Sequence, residues 1–550
     1  MKTTKIFLMA ALALMTAACS NSDNDILTPA EQPANNMVTI TAKLAPKSGS
    51  AQTRTLSDQT TYIKAEWAQN EQLKIISANG YPATANIDAV DGSGVATISF
   101  TIDAAAKGKD CTIIYPATAA VTESAGVYTA QPMTAQTGTL SNDLDVRIGK
   151  GTITDEATPQ LEVTTQPAAQ FAIWKLTLDK TAKDLYITAG GEFLAGATLA
   201  SAGTVFTVAV PSVSSKTVAV VATDGSSDCW SYSKDGVSLA TGNYYQSNVA
   251  MAALDDDNSK PLYKITATSG VIIPAGGKTV VLSGVNISSG EIVCEGSVTM
   301  ILMGSNTVTT TTSGNAAIKI GGSGTTLTIT GSGSLTVNGG SQAAAIGTGR
   351  AYDASVVGGN IEINGGTINA TGGSNAAGIG TGYTYNNGSS SSNTCGTITI
   401  NGGLVNATGG GGAAGIGTGS AIGSANGSVS NECGAITING GSVDATGKTT
   451  AAGIGTGYAN NSGSNKCGAI IISTGVTSVT ATKGNSSPNI IGKGKAANGG
   501  TQTCGTITFG ATQVFNGTDW SPATMAAGTY GGLNLAITNS DKTWTLTPAP

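Results

Sequence analysis

Residues 396–419 read GTITINGGLVNATGGGGAAGIGTG, and after a polar stretch and Cys433 a near-copy begins. The repeat runs from about Thr326 to Phe509. Its anchor isoleucines are Ile346, Ile379, Ile416, Ile454 and Ile491, at steps of 33, 37, 38 and 37 residues. A fixed period of this size means stacked units that share one continuous core. Each unit holds three extended pieces, of the TITI, LVNAT and AAGIG types. Ile361 and Ile363, Ile398 and Ile400, and Ile436 and Ile438 alternate with Glu362, Thr399 and Thr437. That is the period of a strand buried on one face. Asn-Gly-Gly follows at Asn364, Asn401 and Asn439, where a sharp turn needs residues that tolerate positive φ. Three strands with such turns make one coil of a parallel β-helix, and equivalent residues of successive coils lie about 4.8 Å apart. A helical solenoid does not fit, because glycine is dense, the branched residues suit strands and no helical period is present. The rule for parallel crossovers makes the helix right-handed.

The chain has 550 residues, room for two to four domains, with 76 glycines, 11% charged residues and no histidine. A net charge of −6 and a pI near 4.9 argue against nucleic acid, which needs basic stripes. Without histidine the commonest general base and metal ligand are missing. The acidic side chains between Gly321 and Gly510 are Asp353, Glu362, Glu432 and Asp444, spread over different strands and loops. A hydrolase needs two carboxylates flanking one bond, and a lyase needs clustered acids beside a base. The expectation is a non-catalytic protein with no cofactor and no metal; a polysaccharide-degrading β-helix enzyme is the remote alternative.

At the N-terminus Lys2 and Lys5 precede an apolar run from Ile6 to Met15, too short to span a bilayer. The following Thr16-Ala17-Ala18-Cys19 resembles the lipobox of bacterial lipoproteins, with Thr16 where Leu is usual. The resemblance implies lipidation of Cys19. The acidic Ser20 to Asp25 looks like the signals that send some Gram-negative lipoproteins to the outer face, and implies a lipid-anchored, surface-exposed outer-membrane protein. Residues 1–19 are thus signal and lipobox, and 20–36 a flexible tether.

From Met37 short strands alternate with turn residues, the pattern of a β-sandwich. Lys64-Ala65-Glu66-Trp67, Thr112 to Pro116, Gln131 through Gln136, Ala169 to Trp174, Leu194-Ala195-Gly196 and Ala240 to Tyr245 stand in order along it. Together they resemble the landmarks of fimbrillin-like proteins, over about residues 37–252. The resemblance implies two sandwich domains, here 37–157 and 158–252, and a pilus or pilus-tip role as the alternative function. It also marks Arg54, in Gln-Thr-Arg-Thr, as a possible maturation cleavage site; the plain alternative is an exposed arginine. Trp67 and Trp174, each within an alternating strand, read as core aromatics. Residues 253–261, containing Asp255, Asp256 and Asp257, read as a linker and solvated hinge lacking the spaced ligands of a calcium loop.

The β-helix is expected over 262–510 with coils of about 37 residues, and 511–550 as a cap shielding the last coil's edge. Leu282 to Ile287, Asn306-Thr307-Val308, Ala316-Ala317-Ile318 and Leu327 to Gly331 resemble carbohydrate-binding β-helix domains of bacterial surface proteins. That resemblance implies glycan binding; the turns that hold Asp in calcium-using members carry Gly and Thr here.

Three columns are expected at coil spacing. The residue after each GTG, with Lys495 after Gly-Lys-Gly, forms a strip of Arg350, Tyr383, Ser420, Tyr458 and Lys495, widened by Tyr352, Tyr385, Asn386 and Asn387. Tyrosine faces stack on sugars and amides hydrogen-bond to them, so this is the candidate glycan-binding strip, unless these residues merely begin solvated loops. Asn364, Asn401 and Asn439 form a structural amide ladder. Cys395, Cys433, Cys467 and Cys504 form either a ladder of small apolar side chains, the favoured reading, or disulfides between coils. The expected function is adhesion to a glycan or another cell's surface.

Overall fold

The computed structural model describes residues 37–45, 57–58, 63–64, 66–119, 121–124, 127–130, 136–140, 144–225, 228–424, 428–521 and 524–549. Cys19, Arg54, the tether and Gln131 to Ala135 lie outside the described residues. The protein is all-β, with antiparallel sheets first and a right-handed parallel β-helix after them.

The first sheet has seven strands in the order 37–44, 96–103, 82–90, 72–77, 110–115, 147–153 and 161–169. Thr41 bridges to Gln160, so the sheet curls until its two edges meet. Its concave face buries Ile40, Leu73, Ile75, Ile98, Ile113 and Ile153, with Trp67 edge-on to Tyr115 at 5.4 Å. Leu161–Ala169 pairs with Arg147–Ile153, so the changeover between the two N-terminal domains falls after Ala169, not at Thr158. Asp155 to Pro159, at that expected boundary, is the turn between two strands of one sheet.

The second domain is built on a hairpin of long strands, Ala172–Ala189 and Glu192–Val210. Their pairing is irregular between Thr177 and Asp184, and the two halves of Ala172–Ala189 have different partners. The first half takes Tyr244–Val249 in parallel and the second takes Val213–Thr223. The folded hairpin encloses Trp174, Leu176, Leu185, Phe206 and Val220.

Each coil of the β-helix contributes strands to separate faces, numbered here in chain order. Face 1 holds the TITI strands, face 2 the LVNAT strands and face 3 the AAGIG strands. Val271, Ile292, Ile318, Ile346, Ile379, Ile416, Ile454 and Ile491 form one column on face 3. Their numbers show coils growing from 21 residues to 37 or 38, so the expected length of about 37 holds only from Ile379 onward. The growth has a structural cause. From the fourth coil, the polar stretch between GTG and the next TITI is not a loop but two further strands. They stack as face 4 (351–352, 384–385, 421–422, 459–460, 496–497) and face 5 (355–357, 391–395, 429–433, 463–467, 501–504). Ser391, Asn393 and Cys395 are buried while Ser392 and Thr394 are not, the same alternation as on the apolar faces.

Ile and Val columns from faces 1 to 3 fill the interior, each fully buried side chain stabilising by roughly 1.5–3 kcal/mol. The glycine after each anchor isoleucine is obligatory. Gly380 has φ +132° and a Cβ there would meet the Gly417 carbonyl oxygen at 1.9 Å; Gly417, φ +129°, meets Gly455 at the same distance. At the C-terminal end, Thr512–Phe515 pairs antiparallel with face 1 and Thr543–Pro548 with face 2, closing the open edges of those two faces.

The linker is solvated, residues 255–261 being exposed, but it is tied down rather than a free hinge. The Lys278 ammonium is buried and donates to the carbonyls of Asn258 (3.3 Å), Ser259 (3.1 Å) and Lys260 (2.8 Å), while Lys260 pairs with Asp255. Above it, Tyr186, Val221 and Cys229 of the second domain share one apolar cluster with Leu262, Val281, Ile301 and Met303 of face 1. The β-helix is docked on its base.

Candidate binding flank

Faces 4 and 5 form the flank that carries the candidate strip. The backbone keeps Arg350, Tyr383, Ser420, Tyr458 and Lys495 in one column: Ala351 donates to the Tyr383 carbonyl, Thr384 to Ser420, Ala421 to Tyr458 and Ala459 to Lys495, at 2.8–3.0 Å. Their exposure does not follow the expected pattern. Ser420 is fully buried, Tyr383 is 9% exposed, Arg350 and Tyr458 are half-buried, and only Lys495 is exposed. The position after GTG tucks under the turn of the preceding coil, where Ser420 N–H donates to Asn375 and Tyr458 N–H to Gly412. Asn386 is also buried, its Oδ1 accepting from Ser424 N–H at 2.7 Å, so it holds the coils together. Asn387 is exposed. The outward column of face 4 lies two residues further on, at Tyr352, Tyr385, Ile422, Asn460 and Ala497.

Three tyrosines converge at the start of this column. The Tyr352 and Tyr385 rings are 5.5 Å apart at 31°, and Tyr383 stacks on Tyr385 at 6.1 Å and 14°. The Arg350 guanidinium lies 5.5 Å from the Tyr352 ring centre, held by Nη1 donating to Gln342 Oε1 at 2.7 Å. Burial, then the neighbouring Tyr385, pushes the Tyr383 phenol up to about 12. Tyr352 is 44% exposed because face 4 begins with its strand, leaving a ledge where three-sided coils widen. Asp353, at φ 47°, accepts the N–H groups of Asn387 (2.8 Å) and Ser389 (3.3 Å), which fixes the loop beside the aromatic cluster.

The interior of this flank is polar, which the sequence reading missed. Asn393, Asn431, Asn465 and Gln502 share one inward column. Asn393 donates to the Gly349 carbonyl at 2.8 Å, Asn431 to Ser420 at 2.9 Å and Gln502 to Gly457 at 2.7 Å. Thr348 and Thr456, from the GTG turns, donate to the side-chain oxygens of Asn393 and Gln502. The recurring Asn-x-Cys before each coil was the available signal, since two-residue spacing puts both side chains on one face.

The amide ladder is continuous. Asn401 Nδ2 donates to Asn364 Oδ1 at 2.8 Å, Asn439 to Asn401 at 2.9 Å, and Ser473 to Asn439 at 2.9 Å. Cys395, Cys433, Cys467 and Cys504 are buried with free thiols in register on face 5. The four acids of the repeat stay apart in their bonding: Glu362 takes Asn364 and Asn401, Glu432 pairs with Lys466 at 2.6 Å, Asp444 takes Thr446, and Asp353 takes the backbone. Among the described residues, no three His, Cys, Asp or Glu side chains gather at one point.

Residues 361–383, 398–420 and 436–458 match a family model described as a beta helix repeat. A 1.85 Å crystal structure of a fimbrial protein from Bacteroides ovatus ATCC 8483 aligns with 40% of this chain at 12% identity and a TM-score of 0.22, a likeness too slight to argue from. The alignment spans 50% of that protein's length. No curated protein matches the chain.

Proposed function

We propose that this protein is a non-catalytic surface adhesin, lipid-anchored to the outer membrane through Cys19, that binds glycan along the face 4 flank of its β-helix. One observation supports it above the others: the Tyr352 and Tyr385 rings lie 5.5 Å apart at the head of a solvent-facing column with Arg350 against the Tyr352 ring. Half-exposed aromatic rings offer sugars an apolar surface, and a guanidinium and nearby Asn387 offer hydrogen bonds. Further groups along the flank, Tyr458 and Asn460 in one coil and Lys495 in the next, add weak contacts, so affinity comes from their number. Docking of the helix onto the second domain by the Tyr186 cluster holds that column at a set angle to the anchored base.

The test is a glycan array probed with the full chain and with Tyr352→Ala/Tyr385→Ala. Glycan binding that the double substitution reduces at least tenfold supports the reading. Absence of binding by the unaltered chain removes it and leaves the pilus-subunit alternative, whose own test is co-purification with a pilus shaft and a mature chain beginning at Thr55.

A further inference from the structure

Face 5 carries one cysteine per coil for four coils running. Cys395 is in register with Cys433, Cys433 with Cys467, and Cys467 with Cys504. All four are buried, and the Cys395 and Cys433 thiols donate to the carbonyls of Gly359 (3.7 Å) and Gly396 (4.0 Å). In a parallel sheet such side chains point the same way from strands about 4.8 Å apart. That spacing decides which chemistry suits them. A disulfide wants Cβ atoms about 3.8 Å apart and sulfurs about 2.05 Å apart, so each would have to draw two coils together. A metal–thiolate bond of about 2.3 Å places two sulfurs about 4.6 Å apart when the cation sits in line between them, close to the coil spacing. Thiolates also select soft cations over hard ones.

We propose that the Cys395–Cys433–Cys467–Cys504 column binds soft, two-coordinate monovalent cations of the Cu(I) and Ag(I) class, one between each pair of neighbouring coils. Four sulfurs leave three gaps, so the column takes three cations. Each entering cation displaces one thiol proton to water and the fourth proton stays. The loaded column therefore carries the same net charge as the empty one, and no electrons move. Neutral loading matters because, among the described residues, no charged side chain is buried beside the column to balance a charge. Because only two ligands are needed per cation, the column works without a three-residue cluster. Cys504, 5% exposed and on the last strand of face 5, is the point of entry.

Silver ion alone, in chloride-free buffer, is the probe, added to the reduced full chain and followed by native mass spectrometry. The expected result is three more silver ions on the unaltered chain than on Cys433→Ala/Cys467→Ala, each with the loss of one proton. Cys111→Ala/Cys229→Ala/Cys294→Ala, which removes the other described cysteines, keeps those three. X-ray absorption on the unaltered chain is expected to show two sulfur neighbours in line at each silver, which decides the matter even if the ladder variant does not fold. Equal uptake by chain and ladder variant, oxygen or nitrogen neighbours, or a Cys395–Cys433 disulfide in protein purified without reductant would each overturn the proposal.

Discussion

Ser332, in the fourth coil, donates a hydrogen bond of 2.9 Å to Asp184 of the second N-terminal domain, across 148 residues of sequence. Asp184 is 1% exposed and also accepts from Thr198 at 2.7 Å and Thr223 at 3.3 Å. A buried carboxylate is tolerated when its lone pairs are filled, and here part of that filling comes from another domain. Asp184→Ala is expected to destabilise the chain by about 3 kcal/mol, from three orphaned hydroxyls, and Ser332→Ala by about 1 kcal/mol. Urea unfolding of the full chain measures both. Proteolysis at residues 253–261 should accelerate in the Asp184 variant and stay slow in a surface control such as Asp519→Ala.

Gly417→Ala tests the face 3 glycine column. The added methyl would meet the Gly455 carbonyl at 1.9 Å in a backbone conformation that L residues avoid, so the expected cost is about 3 kcal/mol. Gly322→Ala has nothing within 4 Å of the new methyl and is the matched control, expected within about 0.5 kcal/mol. Thermal unfolding of the two variants distinguishes a steric requirement from a general dislike of alanine.

Asn465 is the weak point of the polar interior, since neither its Nδ2 nor its Oδ1 has a partner. One coil later Gln502, a methylene longer, reaches the carbonyls of Gly457 (2.7 Å) and Lys495 (3.0 Å). Asn465→Gln is therefore expected to raise stability by about 1 kcal/mol, the worth of a newly made buried hydrogen bond. A lower melting temperature would show that the site has no room for the added methylene.

Tyr383 supplies a pH dependence. Its folded pKa, about 12, lies above the ordinary value of 10.0, so the folded state favours the neutral phenol. The resulting stability is fully present below pH 10 and is lost as pH rises through about 12. Absorbance titration of phenolate should show Tyr383 ionising late together with Tyr186 and Tyr263, with one late phenol fewer in Tyr383→Phe, and that variant should lose less stability between pH 10 and 12.

The amino-acid sequence by itself determined the repeat, its strand character and the columns at coil spacing. These follow from period-two alternation and a fixed step, which are local and survive translation from one coil to the next. It also marked Tyr352 and Tyr385, because they stand beside the position after GTG. Which side of the wall each residue faces was settled only in three dimensions. Ser420, Asn386 and Tyr383 look like loop residues, yet faces 4 and 5 turn that loop into wall and enclose them. The domain changeover after Ala169, the Lys278 clamp and the Ser332–Asp184 bond belong to the tertiary structure for the same reason. Each depends on partners far apart in the chain, and burial of a polar group is decided by what packs over it, which no short pattern of residues records.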